Sequence, residues 1–354
     1  MSRVIFWIIV VMDYVRFRFL WQHRSPLYGV GLALVLLLSG WGGLLLLAIQ
    51  RPPSNQDWIA RSLAYKEAAA SAQDGPRLLL LAGSNAMFGM RSPTLSVAYE
   101  RPVVNLGVNA GLLLPYVLDH GLRTIRAGDI VLAPLEYHMY TWNGELSEVL
   151  VKHILESDPG WLIQRPWMAA KFSVQVPAAQ LIRQIFLPQM KSMPDGIYGP
   201  HHLDEWGDQT HSSLTERSDA MHDWLYGHSP PHDYGHQQWR NSLAWKELRT
   251  FSDKLVERGA CLILLPAAMA FEPQYQDDVL ERTFYSDLPL VAREHGLVYV
   301  GNPRNFMYDK SLFFDTEYHL SAEGRTLHTR KLIALLGSDL QAYCPPSFIS
   351  HAVQ

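Results

Sequence analysis

Residues 78–93, LLLLAGSNAMFGMRSP, decide how this chain is read. Four leucines run straight into Ala82-Gly83-Ser84-Asn85. An uncharged run of this kind, ended by a turn signal, is a strand buried on both faces, as in parallel sheets. In open parallel sheets ligands bind at the carboxyl ends of the strands. The serine therefore stands either in an ordinary strand-to-helix turn or in a turn that holds a nucleophile in the open. A serine hydroxyl is a poor nucleophile near neutral pH. It needs a base, a group that orients the base, and donors for the oxyanion that forms. If Ser84 is a nucleophile, other strand ends must supply those partners.

The chain repeats the strand-and-helix rhythm. RLLLLAG (77–83), PVVNLGV (102–108), GDIVLAPLEY (128–137), CLILLPAAM (261–269) and LVYVG (297–301) read as five apolar strands. WIARSLAYKEAAASAQ (58–73), LLLPYVLDHGLRTI (112–125), NSLAWKELRTFSDKLVERGA (241–260) and SAEGRTLHTRKLIALL (321–336) have helical spacing. Strands with interposed helices predict an open, parallel, doubly wound sheet. Residues 142–240 break the rhythm and read as an insertion of helices and long loops over the strand ends.

Three strand ends carry candidate chemistry. FFDTEYHLSAEG (313–324) places His319 just before the last helix, with Ser321 as its N-cap and Asp315 four residues ahead of the histidine. One loop thus offers a base and an orienting carboxylate, with Glu317 as a rival for the second role. VNLGVNAG (104–111) offers the backbone N–H of Gly107 and the amide of Asn109, with Asn105 as its rival. The N–H of Ser84 is a further donor. Asn85 opens the following helix and joins the same oxyanion or substrate-binding set. Glu136, at the end of the third strand, is read either as orienting a residue or loop of the site or as a salt-bridged strand end.

Composition limits the function. The chain has 354 residues, 48% of them hydrophobic, and a net charge of -4. No basic stripe points to nucleic acid. Charged residues make up 18%, below the usual level of about 25%. Residues 27–49 contain no charge and make up the span of roughly 20 residues needed to cross about 30 Å of hydrocarbon. Arg3, Arg16, Arg18 and Arg24 precede the run and place the N-terminus in the cytoplasm, although Arg51, Arg61 and Lys66 follow it. No small-residue cleavage site follows, so the run reads as an uncleaved anchor. The expected layout is an interfacial amphipathic segment (1–24), a transmembrane helix (25–50), a linker and helix (51–74), and one domain (75–354) carrying the insertion. Cys261 and Cys344 then lie where they can pair, while a buried free thiol at Cys261 is the alternative. The insertion is rich in histidine, but its spacings match no tight ligand motif, and no metal or cofactor is assigned. Its Trp206, Trp224, Tyr226 and Trp239 are candidates for stacking on sugar rings.

Gly83-Ser84-Asn85 after the first strand, Gly107 and Asn109 after the second, and Asp315 with His319 near the C-terminus together resemble the SGNH/GDSL hydrolase superfamily. The resemblance covers about residues 75–336. With the anchor, it is similar to the bacterial SGNH-like proteins of exopolysaccharide and cell-wall acylation, the DltD-like group. The resemblance implies a three-layer α/β/α, flavodoxin-like fold and Ser-His-Asp chemistry by Ser84, His319 and Asp315. It implies an O-acyltransferase or esterase that acts on an extracytoplasmic polysaccharide, beside a membrane-bound O-acyltransferase of the inner membrane. Two departures stand out. The superfamily's Asp-x-x-His spacing is lengthened by one residue, and its Gly-x-Asn block gives way to Pro134-Leu135-Glu136. A non-catalytic accessory protein of the same acylation system and a free-standing lipase or thioesterase are the other readings.

Overall fold

The computed structural model describes residues 26–50, 57–186, 198–227, 231–346 and 348. The interfacial segment expected at 1–24 and most of the linker at 51–57 lie outside these residues. Contacts divide the chain into two units, 1–53 with 159–189, and 54–158 with 190–354.

In chain order the elements begin with helix α1 (Pro26–Ile49) and α2 (Trp58–Ser71), then β1 (Leu78–Leu80), α3 (Ser84–Gly89), α4 (Ser92–Tyr99) and β2 (Val103–Asn105). Next come α5 (Leu113–Thr124), β3 (Ile130–Ala133), α6 (Glu148–Glu156), α7 (Trp161–Gln164), α8 (Pro166–Gln175), α9 (Ala178–Phe186) and α10 (Asp219–Gly227). The remainder is α11 (Leu243–Glu257), β4 (Cys261–Leu264), β5 (Met269–Ala270), α12 (Gln274–Asp277), α13 (Val279–Glu294), β6 (Met307–Tyr308) and α14 (Ala322–Leu336).

The larger unit is α/β. Its main sheet is parallel, in the order β2-β1-β3-β4, and every strand residue is buried. That burial is why the strands read as unbroken apolar runs and not as alternating ones. Helices α5 and α2 pack together, and α11 packs on α5 and β4, while α14 packs on α3 and α4. At the entry end of the sheet the buried Arg77 guanidinium bonds Asp129 through Nε at 3.1 Å and Nη2 at 2.5 Å, tying β1 to β3.

The expected fifth strand shrinks to a single parallel bridge, Leu264 to Tyr299. Leu264 donates to the Val298 carbonyl and accepts from the Val300 N–H. The next donor on the β4 side would be Pro266, which has no N–H, so the ladder stops. The same proline splits the apolar run 261–269, and Met269–Ala270 pairs instead with Met307–Tyr308 in a separate two-stranded sheet. Cys261 and Cys344 form a disulfide across 83 residues, which removes the free-thiol alternative.

The smaller unit holds α1 and α7–α9. Tyr28–Ala48 of α1 has a mean hydropathy of 2.3 and is long and apolar enough to cross a membrane. Residues 159–189 group with α1, apart from the rest of the region between 142 and 240.

Candidate active site

From Arg77 to Met90 every residue is buried except Ser84. The opening turn therefore lifts one hydroxyl out of an otherwise enclosed segment. Gly83 has an ordinary negative φ of -80°, so it is not needed for an unusual bend. It is needed for space. A Cβ there would lie 2.4 Å from Glu136 Oε1 and 2.6 Å from the Ala110 backbone.

Glu136 occupies that space with purpose. Its Oε2 accepts the Gly83 N–H at 2.9 Å, and its Oε1 accepts the Asn85 N–H at 3.0 Å. The two bonds bracket Ser84 and brace the turn against the end of β3. Ser84 begins α3, so its own N–H is among the helix-start donors that no helical carbonyl can satisfy.

His319 sits in a loop closed by an antiparallel bridge between Phe313 and Leu320. Inside the loop, His319 N–H donates to Thr316 O at 3.3 Å. This turn absorbs the extra residue between aspartate and histidine, and His319 Nδ1 meets Asp315 Oδ1 at 2.8 Å. Glu317 goes elsewhere and pairs with His232 Nε2 at 3.1 Å. Ser321 caps α14 by accepting the Gly324 N–H. The imidazole of His319 lies flat on Phe88, with centroids 4.2 Å apart and planes at 9°. Burial alone would raise the Asp315 carboxyl. The facing His319 and the hydroxyl of Tyr198 outweigh burial and hold it below the usual carboxylate range. Asp315 is therefore an ionised acceptor that leaves the second imidazole nitrogen for chemistry.

Ser84, Asn109, Glu136 and His319 line one cavity of about 520 Å³, with His138, Trp224, His232 and Tyr234 among the other wall residues. Burial is the main cause that holds His138 below the usual imidazole range. Asn109 spends its Oδ1 on the Gly111 N–H at 2.7 Å and remains at the cavity wall.

Three expected donors take other places. The Gly107 N–H donates to Asn105 Oδ1 at 3.1 Å and is not offered to the cavity. Gly107 is glycine because a Cβ would lie 2.4 Å from the Gly83 carbonyl, directly beneath the turn that carries Ser84. Asn105, the rival of Asn109, is buried and donates to Ala86 O and Asp208 Oδ1. Asn85 is buried too, and its Nδ2 donates to Pro134 O at 2.6 Å. These side chains build the floor of the site. Of the expected donors, Ser84 and Asn109 belong to residues that line the cavity.

Tyr198 escaped the sequence reading. Its hydroxyl donates to Asp315 Oδ2, and its ring meets Phe88 edge-on at 5.9 Å. Burial and the Asp315 charge push its phenol upward, so it stays a donor. Nothing local marks it, because GIYGP (196–200) has no periodicity and no motif. A hydrogen bond to a charged group contributes about 1.5–3 kcal/mol. Tyr198→Phe should lower kcat about tenfold, equivalent to about 1.4 kcal/mol. It should also move the acid limb of the pH profile upward, as Asp315 loses an acceptor bond. Unchanged kcat and an unmoved limb would remove Tyr198 from the site's support.

Lys66 was also missed. It is buried, and its Nζ donates to Gly107 O and, at 2.7 Å, to Gly207 O. Burial pulls its ammonium down to about 7 against the charges of Asp208 and Asp204. Between about pH 7 and the ordinary 10.5, the unfolded chain binds a proton at this residue that the folded chain has released. Stability from this group therefore rises with pH across that window. In urea titrations Lys66→Met should flatten that rise, and a slope equal to wild type would contradict the assignment.

Of the four expected stacking rings, Trp224 alone lines the cavity, and it is 54% exposed. Trp239 is buried edge-on to Phe284, Trp206 packs on the core, and Tyr226 stacks on His222. Among the described residues no group of three or more His, Cys, Asp or Glu is placed to hold a metal ion. His202 and His211 face each other through Nδ1 at 3.0 Å, and His236 bonds Asp278.

No family model, curated protein or solved structure matches the chain.

Proposed function

We infer that the larger unit is an SGNH-type serine O-acyltransferase or esterase that works on a polysaccharide outside the cytoplasmic membrane. One observation carries the reading: the Asp315–His319 pair opens onto the same cavity as Ser84, the single uncovered residue of a buried segment. The strand order β2-β1-β3-β4 and the two groups of packed helices support the three-layer, flavodoxin-like reading.

In the first half-reaction Ser84 Oγ attacks the acyl carbonyl and its proton passes to His319. Asp315 stabilises the imidazolium that forms. The Ser84 N–H and the Asn109 amide bond the oxyanion. The tetrahedral species collapses to an acyl-serine, and His319 returns its proton to the leaving oxygen. In the second half-reaction a sugar hydroxyl or water attacks the acyl-serine, giving its proton to His319, which passes it to Ser84 Oγ as the acyl–serine bond breaks. Trp224, exposed on the cavity wall, supports a sugar acceptor by stacking. No step calls on a metal or cofactor.

The disulfide supports an oxidising, extracytoplasmic compartment. With α1 as an uncleaved single-pass anchor of a bacterial inner membrane and a cytoplasmic N-terminus, the larger unit is periplasmic. A membrane-bound O-acyltransferase beside it would supply the acyl group. One feature favours a non-catalytic accessory reading instead: the Glu136 carboxylate takes both N–H groups that flank Ser84, close to where negative charge would develop.

The test is to treat the full-length chain with a fluorophosphonate and map the adduct by peptide mass spectrometry. The adduct is expected on the peptide that contains Ser84. An unlabelled protein, or an adduct elsewhere, would favour the accessory reading.

A further inference from the structure

Residues 159–189 contain three basic residues, Arg165, Lys171 and Arg183, and no Asp or Glu, in a chain whose net charge is -4. They group with α1 and not with the catalytic unit. Within this group α9 packs against α1, and α7 against α8. Among the described side chains of helix α1, Tyr28 to Gly40 are uncovered, and cover falls at Trp41–Leu45 and Ala48. The short helices thus belong to the C-terminal end of the apolar span.

Their own apolar surface is only partly used. At 100° per residue the six apolar positions of α9 (Ala178, Ala179, Leu181, Ile182, Ile185, Phe186) fill an arc of about 160°. Leu181 is buried, but Ile182 is 45% and Phe186 69% exposed. The neighbouring helices repeat this. Met168 and Phe172 are buried, while Ile163 is 83% and Val174 85% exposed. Helices of nine and ten residues are about 14–15 Å long and cannot cross a bilayer. Short amphipathic helices with a basic polar side, exposed apolar residues and tryptophan lie in the interface plane of anionic membranes.

We propose that residues 161–186 form a second membrane contact, in which α7–α9 lie in the headgroup boundary of an anionic bilayer around the C-terminal end of α1. The contact rests on α1 being a membrane span. It is continuous with that span, and the segment combines a net positive charge, suited to lipid phosphates, with exposed apolar side chains, suited to the acyl chains. Its occupant is lipid.

The experiment uses the full chain reconstituted into vesicles of phosphatidylethanolamine and phosphatidylglycerol. Both native cysteines are paired, so a spin label goes only to an introduced thiol. Labels are placed by Val174→Cys and Phe186→Cys, with Leu36→Cys as the lipid reference and Val97→Cys as the water reference. Leu36 is 64% and Val97 82% exposed, so none of the four changes disturbs a packed core. Collision rates are read with oxygen, which favours lipid, and with a water-soluble nickel chelate. The oxygen-to-nickel ratio at 174 and 186 should exceed that at 97 several-fold and fall below that at 36. Ratios at 174 and 186 equal to that at 97, with 36 in lipid, would overturn the in-plane contact and leave the anchor standing. Such a result is what a surface reserved for a protein partner would give in vesicles that contain lipid alone. A water-like ratio at 36 as well would overturn the anchor and the contact with it.

Discussion

Ser84→Ala should lower kcat for hydrolysis of a p-nitrophenyl ester by on the order of 10⁴- to 10⁶-fold, and adding His319→Ala should cost little more. The members of a nucleophile–base pair act as a unit, so once one is gone the other has nothing to serve. Asp315→Asn should itself cost on the order of 10⁴-fold, because an amide at this place holds the imidazole in the wrong tautomer. Glu317→Gln is the contrasting change. Its carboxylate bonds His232 and not His319, so the Asp315–His319 contact stays intact. Losses from Ser84→Ala and His319→Ala that simply multiply, or a Ser84→Ala rate within tenfold of wild type, would remove Ser84 as the nucleophile.

The second large effect is expected at Gly83→Ala, where one methyl group meets an immovable wall. Its Cβ would lie 2.4 Å from a Glu136 oxygen held by two N–H groups and 2.6 Å from the backbone of Ala110. A flexible side-chain end could swing away. Glu136 can do so only by releasing the turn that carries Ser84, and the Ala110 backbone cannot yield without moving the loop that carries Asn109. Overpacking of this kind costs about 1–3 kcal/mol, and the lost bonds to a buried carboxylate add to it. A loss of about 3 kcal/mol in urea unfolding is expected, with an activity loss of about 100-fold or more from a displaced hydroxyl. Gly89→Ala is the control. The nearest atoms to its Cβ lie 3.9 Å away, so stability should hold or improve. Equal behaviour of the two variants would show that the turn has room to spare.

Much of the larger unit was legible because its signals are local. A strand buried on both faces is a continuous apolar run, and a helix with one buried face repeats every three to four residues. The candidate base and its carboxylate share one loop, so their proximity follows from chain connectivity. The missed features depend on partners far away in sequence. Asn105 and Gly107 read as oxyanion donors because the motif alone cannot reveal that they bond each other. Tyr198 reaches Asp315 across 117 residues and Lys66 reaches Gly207 across 141, and neither leaves a periodic trace. The strand at 297–301 failed for a different reason. Its own residues favour a strand, but the proline that ends the ladder belongs to its neighbour.

The sequence by itself determined the apolar span, the parallel strands, the helices between them and the loop that holds Asp315 near His319, because each is written in neighbouring residues. Tertiary structure alone decided which polar groups are spent in the floor and which face the cavity. It sent Glu317 to His232, placed Glu136 under the serine turn, paired Cys261 with Cys344 and grouped residues 159–189 with α1. A hydrogen-bonding group is used once, and only the folded chain shows which partner took it.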